Sequence, residues 1–492
     1  MRITAALIPL ILLLGSPAFA SFRCPARGGA QWREYRSAHF LIDTDARIEH
    51  VESMVQRLEQ MRALVLQALV GEQVEIPGRL RVLVFADESD FRDMVSDPNT
   101  AGYFRLGSFG EPTVVVPKNS LSSDPELGAH EIAHYLSYYL FPVQPRWFAE
   151  GLAEWVQTVA ARRELPSAPT GSHFRRGAGA AFGNMAGALQ PLLARYIQTG
   201  TPALPAKDLL TWSGTETETY AGRGHAWSWL LYHWLWNERG KAFSEYQKRL
   251  GDSGDPDGSW RGVFPEFDPN KPEAMAALEK ELDRYRFSGT FRAFPVQAES
   301  DGRFSEGPIS SSDLHLLILG ARSRWPSDKG EREALRNSIL DEAFAEDPGN
   351  PAVISQRTEK LDPVAFANAV RARPADYRGW YVLGTIAPPA EKEAAFRKAV
   401  EANPASGRAL NNLAWLLVTS GRAQEALPFA NRALDLAPWE PSYVDTLAEV
   451  ALRLGKCAEA LQLERRAVAS GPSESFRKRQ AEIEQRCRGA AK

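Results

Sequence analysis

The apolar positions of the chain fall into two rhythms, and the change between them divides it. Residues 37–43 (S-A-H-F-L-I-D) are rich in strand formers and end at a turn-like Asp-Thr-Asp, which predicts a strand. Val51, Met54, Leu58, Met61, Val65 and Leu69 follow at steps of three and four, the stripe of a helix with one buried face. Residues 79–85 predict a second strand after Gly78, residues 91–94 a helical turn, and residues 103–105 a short strand. Residues 113–116 (T-V-V-V) predict another strand, short or at a sheet edge because prolines bound it. Between 162 and 183 the composition shifts to Gly, Ala, Ser, Pro and Arg without periodicity, which reads as a loop: a lid near a cleft or an ordinary surface insertion. Residues 226–237 carry Trp227, Trp229, Trp234 and Trp236 and are apolar almost all round, so this helix is expected to be buried.

Beyond a polar, Gly- and Ser-containing stretch the period becomes 34 residues. Pro404, Pro438 and Pro472 are spaced so, as are Gly421 and Gly455, Leu413 and Leu447, Ala414 and Ala448, Ala426 and Ala460, and the trio Ala399, Ala433 and Ala467. Small residues where two helices cross, with a proline at the repeat boundary, resemble the tetratricopeptide repeat. Two repeats are clear. One more, with Leu383, Gly384 and Pro404, is shortened by about four residues, and Ala343 with Pro348 and Ala369 with Pro374 suggest degenerate ones. Cys457 and Cys487 each lie fifteen positions from the turn at Pro472, so an antiparallel helix pair brings them level and a disulfide is expected.

The candidate chemistry lies in the first half, at H-E-I-A-H, residues 130–134. On a helix His130 and His134 share a face and can reach one metal ion, with Glu131 next to the first ligand. Downstream, R-W-F-A-E-G-L-A-E-W supplies Glu150 as a third ligand, because catalytic zinc takes three protein ligands and keeps a fourth position open. Glu154, one turn on, is placed to accept a hydrogen bond from the outer N–H of a ligating histidine.

These two stretches together resemble the gluzincins, zinc peptidases of the thermolysin and aminopeptidase N type, and more closely the bacterial peptidase MA-like proteins with a W-x-x-E-G-L-A box. The resemblance covers residues 128–155. It implies Zn2+ on His130, His134 and Glu150, Glu131 as general base and Glu154 behind the ligands. It also implies a Tyr or His beyond the third ligand that stabilises the oxyanion. Tyr220 best fits the aminopeptidase-type pattern, but its spacing to the glycines departs from it, so His225 stays open as well. The fold class it implies is α+β: a thermolysin/aminopeptidase-like zincin domain with a small mixed sheet and active-site helices, followed here by an all-α tetratricopeptide-repeat solenoid.

The first twenty residues have a charged start, a short apolar run and A-F-A, which predicts a secretory signal peptide over 1–20. Export then places the product in the periplasm or outside the cell, and no later stretch is long and apolar enough to predict a transmembrane segment in the mature protein. The domains expected are 21–300 for the metallopeptidase, 301–311 for a linker and 312–492 for the repeats. Lys+Arg 58 against Asp+Glu 61 gives no electrostatic case for nucleic acid. The expected activity is hydrolysis of a peptide or protein substrate, with the repeats recruiting that substrate or a protein partner. Two rivals are a repeat-based scaffold with a catalytically idle zinc site, and a zinc hydrolase of a non-peptide substrate.

Overall fold

The computed structural model describes residue 25 and residues 28–490, apart from 73, 97–99, 101, 107–108, 123–124, 161, 165–181, 214–217, 289–290 and 358–360. The expected signal peptide and most of the 162–183 loop lie outside the described residues.

Strands β1 (Arg33–Arg36) and β2 (Phe40–Thr44) pair antiparallel. Helix α1 (Ile48–Val70) crosses over to β3 (Leu80–Phe85), parallel to β2, and buries Val51, Met54, Leu58, Met61 and Val65, the stripe read from the sequence. Helix α2 (Glu88–Met94), β4 (Tyr103–Leu106) and β5 (Pro112–Pro117) follow. The sheet order is β4-β5-β3-β2-β1, with a strand from residues 305–308 on the far side of β1, so β5 is interior rather than an edge. Its prolines take the first and last positions, where a missing N–H interrupts the ladder least. One sheet face, with Ile42, Val82, Val84, Val114 and Val116, belongs to the main core beneath α1 and the helices that follow the sheet.

Helices α3 (Lys118–Ser122), α4 (Pro125–Leu140) and α5 (Arg146–Val156) lead to a second sheet. It is built from β6 (Arg162–Glu164), β7 (Phe182–Ala186) and β8 (Phe294–Val296), so the ends of the predicted loop are strands. Between β7 and β8 run α6 (Pro191–Gln198), α7 (Ala206–Leu210), α8 (Glu218–Glu238), α9 (Gly240–Ser253), α10 (Pro256–Val263) and α11 (Pro272–Arg286). Trp227, Trp229 and Trp234 of α8 are fully buried.

The stretch expected to be a linker, 301–311, is built into the first half. Here β9 (Ser305–Pro308) pairs antiparallel with β1, whose outer edge would otherwise leave its peptide groups unpaired. Helix α12 (Ser311–Ala321) then lays Leu314, Ile318 and Ala321 on Trp32, Leu83, Phe85 and Val115, covering the other sheet face.

The rest is helical: α13 (Lys329–Glu346), α14 (Pro351–Gln356), α15 (Pro363–Ala372), α16 (Tyr377–Ile386), α17 (Pro389–Ala402), α18 (Gly407–Thr419), α19 (Ala423–Leu436), α20 (Pro441–Arg453), α21 (Cys457–Ser470) and α22 (Glu474–Ala490). The starts of α17, α19 and α21 are 34 residues apart, as are those of α18 and α20, while α16 starts 30 before α18. Paired helices at this spacing, with Ala426, Ala430 and Ala433 fully buried, form a tetratricopeptide-type array. Cys457 and Cys487 are bonded, with Cα atoms 5.6 Å apart, and fasten α22 to α21.

The array packs against the first half. Tyr139 Oη, at the end of α4, donates to the Leu436 carbonyl at 2.8 Å, and the Trp439 ring lies 4.9 Å from Tyr139 and 6.1 Å from Tyr138. Tyr377 Oη donates to Glu111 at 2.5 Å. Among the described residues no helix is long and apolar enough to cross a membrane.

Candidate metal centre

Helix α4 is oriented by its apolar side: Ala129, Ile132, Ala133 and Leu136 sit in the main core, which turns His130 and His134 onto the adjoining face. Helix α5 is anchored by Trp147, Phe148, Leu152, Trp155 and Val156, all buried, so Glu150 is carried to the same place. The approach of α8 depends on Gly151, where a Cβ would lie 2.5 Å from the Ser228 carbonyl oxygen. Only a residue without a side chain lets the two helix backbones come so close.

The three expected ligands converge. His130 Nε2 and His134 Nε2 are 3.0 Å apart, and Glu150 Oε2 lies 3.6 Å from the first and 3.3 Å from the second. A tetrahedron with metal–ligand bonds of about 2.0 to 2.1 Å has edges of roughly 3.3 Å, so the donor set fits zinc. Glu150 Oε2 is buried and accepts no hydrogen bond among the described residues, a costly state for a carboxylate oxygen that a cation at the centre of the triad relieves.

The groups behind the ligands fix a proton. Gln157 Nε2 donates to Glu154 Oε2 at 2.7 Å, and a carboxylate can only accept, so the amide oxygen of Gln157 faces His130 Nδ1 at 3.2 Å. That oxygen accepts a hydrogen bond from Nδ1–H, so it is the Nε2 lone pair of the neutral ring that points to the triad. Glu154 was expected to bond a ligating histidine directly. It acts through Gln157 instead, because Gln157 stands between it and His130 while its other oxygen, Oε1, lies 3.2 Å from His225 Nδ1.

His225 also lies 3.4 Å from Glu150 Oε2, and the Trp212 ring packs edge-on against it at 5.5 Å. Tyr220 is in the first turn of α8, and its side chain lies outside the described residues. Glu131 is buried, beside Gly102, which leads into β4. The field here favours positive charge. Burial opposes a charge on His130, yet the carboxylates of Glu150, Glu154 and Glu131 outweigh it and push its pKa up to about 9. Burial likewise raises Glu150, and the imidazoles of His134, His130 and His225 overcome it and hold the carboxyl well below the usual range.

The chain matches no family model and no curated protein sequence. Among solved structures the chain is similar to a thermophilic TPR protein of Thermus thermophilus, at 19% identity over 31% of this chain and 90% of that one, with a TM-score of 0.26. It is also similar to YrrB, a TPR protein with an unusual peptide-binding site, at 17% identity over 29% and 80% of the chains, with a TM-score of 0.23. The TPR domain of P58(IPK) aligns over 76% of this chain and 97% of its own at 10% identity, with a TM-score of 0.21. At such scores the type of the array rests on its helix spacing.

Sequence reasoning missed three residues of the site. Gln157 lies one helical turn beyond Glu154 and Arg146 one turn before Glu150, so both were legible as helical neighbours once Glu150 was named. Trp212 carried no local signal; only the fold brings it over α8.

Proposed function

We propose that the chain is an exported zinc-dependent peptidase of gluzincin type, with residues 21–300 holding the chemistry and the repeats recruiting substrate or a protein partner. The observation that carries this reading is the convergence of His130, His134 and Glu150 on one point, with Glu131 adjacent in the chain. Bound there, zinc would supply Lewis acidity, polarising the scissile carbonyl and acidifying water. Glu131 takes a proton from the attacking water on its carboxylate and delivers it to the leaving amine nitrogen. With its Nδ1–H given to Glu154, His225 can donate to the developing oxyanion from Nε2 only as the imidazolium, in which both ring nitrogens carry a proton; Tyr220 is the alternative donor. Among the described residues the outer edge of β4 has no strand partner, so an extended peptide can add there as a further strand beside α4.

A second reading is favoured by the helical array: a repeat-based scaffold or binding protein whose metal centre is idle. One set of measurements separates the two. Elemental analysis of the purified protein should find about one zinc per chain, as expected of a mononuclear site. Peptide-library digestion read by mass spectrometry should then show cleavage that Glu131→Gln abolishes while zinc is kept. Zinc without cleavage in the wild type supports the scaffold reading, or hydrolysis of a non-peptide substrate. Full zinc in His134→Ala overturns the ligand assignment.

A further inference from the structure

We infer that Arg146 is a positioning residue of the metal centre: its guanidinium holds Oε1 of Glu150, so that Oε2 alone is offered to the metal. The inference rests on the zinc reading above. Arg146 opens α5 four residues before Glu150, on the same face, and its Nη2 lies 3.3 Å from Glu150 Oε1. The other oxygen is the buried one that accepts no hydrogen bond among the described residues and faces the two imidazoles. A free carboxylate can turn to offer either oxygen or both. One pinned by a guanidinium on one side offers a single, fixed donor on the other.

The guanidinium is itself held. It lies over the Trp212 ring at 4.7 Å, and Trp212 in turn sits so close to α8 that a Cβ on Gly224 would be 2.4 Å from the ring. This clamp suits a flat cation, and a lysine ammonium has no plane to stack. The location also runs against the helix field, which disfavours a cation in the first turn, and α5 has no acidic residue there to compensate. The contact with Glu150 supplies the reason for a cation at that position.

The test uses the full chain with Arg146→Gln and Arg146→Lys. Zinc affinity is measured by competition with a chromophoric chelator, and the visible absorption of the cobalt-substituted protein reports the ligand geometry. Arg146→Gln should weaken zinc binding by roughly tenfold or more, the usual effect of losing a group behind a ligand, and shift the cobalt bands. Arg146→Lys should fall between the two proteins, since it restores the charge without the plane. A Gln variant with wild-type affinity and wild-type cobalt bands overturns the inference. So does a loss of affinity that only follows a lower melting temperature of the zinc-free protein, with the bands unchanged. A wild-type chain that binds no zinc defeats the metal reading itself, before any variant is compared.

Discussion

The carbonyl oxygen of Ser228 occupies the space that a side chain on Gly151 would need: a Cβ there would sit 2.5 Å from it. Backbone against backbone, α5 and α8 bring His225 to Glu150 and Glu154. Gly151→Ala should force the helices apart and cost about 1–3 kcal/mol, as overpacking does. A chemical denaturation midpoint measures the loss. Zinc content should survive, because His130, His134 and Glu150 all lie on α4 and α5.

His225→Ala should keep zinc and lose mainly kcat, because a donor to the oxyanion acts in the transition state rather than in substrate binding. Tyr220→Phe is the paired measurement. If it loses kcat while His225→Ala does not, the donor is Tyr220.

Glu464 of α21 gives a stability test within the array. Its side chain is fully buried, and among the described residues neither oxygen accepts a hydrogen bond. Burial and the neighbouring Asp445 and Glu449 carboxylates of α20 push its pKa up to about 8, against the pull of Arg479 on α22. At neutral pH it is therefore protonated, and its own O–H is free to donate to Asp445. With the folded pKa above the unfolded value, the folded state keeps a proton that the unfolded chain has shed. Its contribution to stability is full below about pH 4.5 and declines as pH rises through about 8. Across that window the slope is at most about 1.4 kcal/mol per pH unit. Glu464→Gln should flatten this decline and melt above the wild type at pH 8 to 9, read by thermal unfolding across pH.

The cut that frees the first half lies later than the expected linker. A fragment ending at residue 300 lacks β9 and α12, and also the bonds from Ser323 N and Arg324 N to the Met94 carbonyl, each 2.9 Å. Residues 21–300 should aggregate or melt well below residues 21–325, and both below the full chain, which adds the Leu436 and Trp439 contacts with α4. Size-exclusion chromatography and thermal melts decide it. A 21–300 fragment as stable as the full chain would restore the boundary at 300.

What could be read from the sequence was whatever one element fixes by itself. His130 and His134 share one helix, and the stripe of α1 and the 34-residue period each need only local spacing. β1 and β9 could not be read so. Residues 305–308 are S-E-G-P, with no strand former among them, and are a strand only because β1 has an edge to pair with. The part played by Glu154 failed for a related reason: its distance to His130 in the chain says nothing of Gln157 standing between them. Trp439 falls in a repeat turn, outside any apolar rhythm, and only the packed array shows it against α4.

Helix α4 is floor to the metal centre and footing to the repeats at once. Tyr139, which bonds the Leu436 carbonyl, stands five residues after His134, about 7.5 Å along the helix axis. Five residues also turn the side chain by about 140°, so the array grips α4 on a different side from the one that carries the two histidines. One rigid helix joins the two, and a substitution that loosens Tyr139 or Trp439 would be felt at His134, roughly one and a half turns away, without touching it.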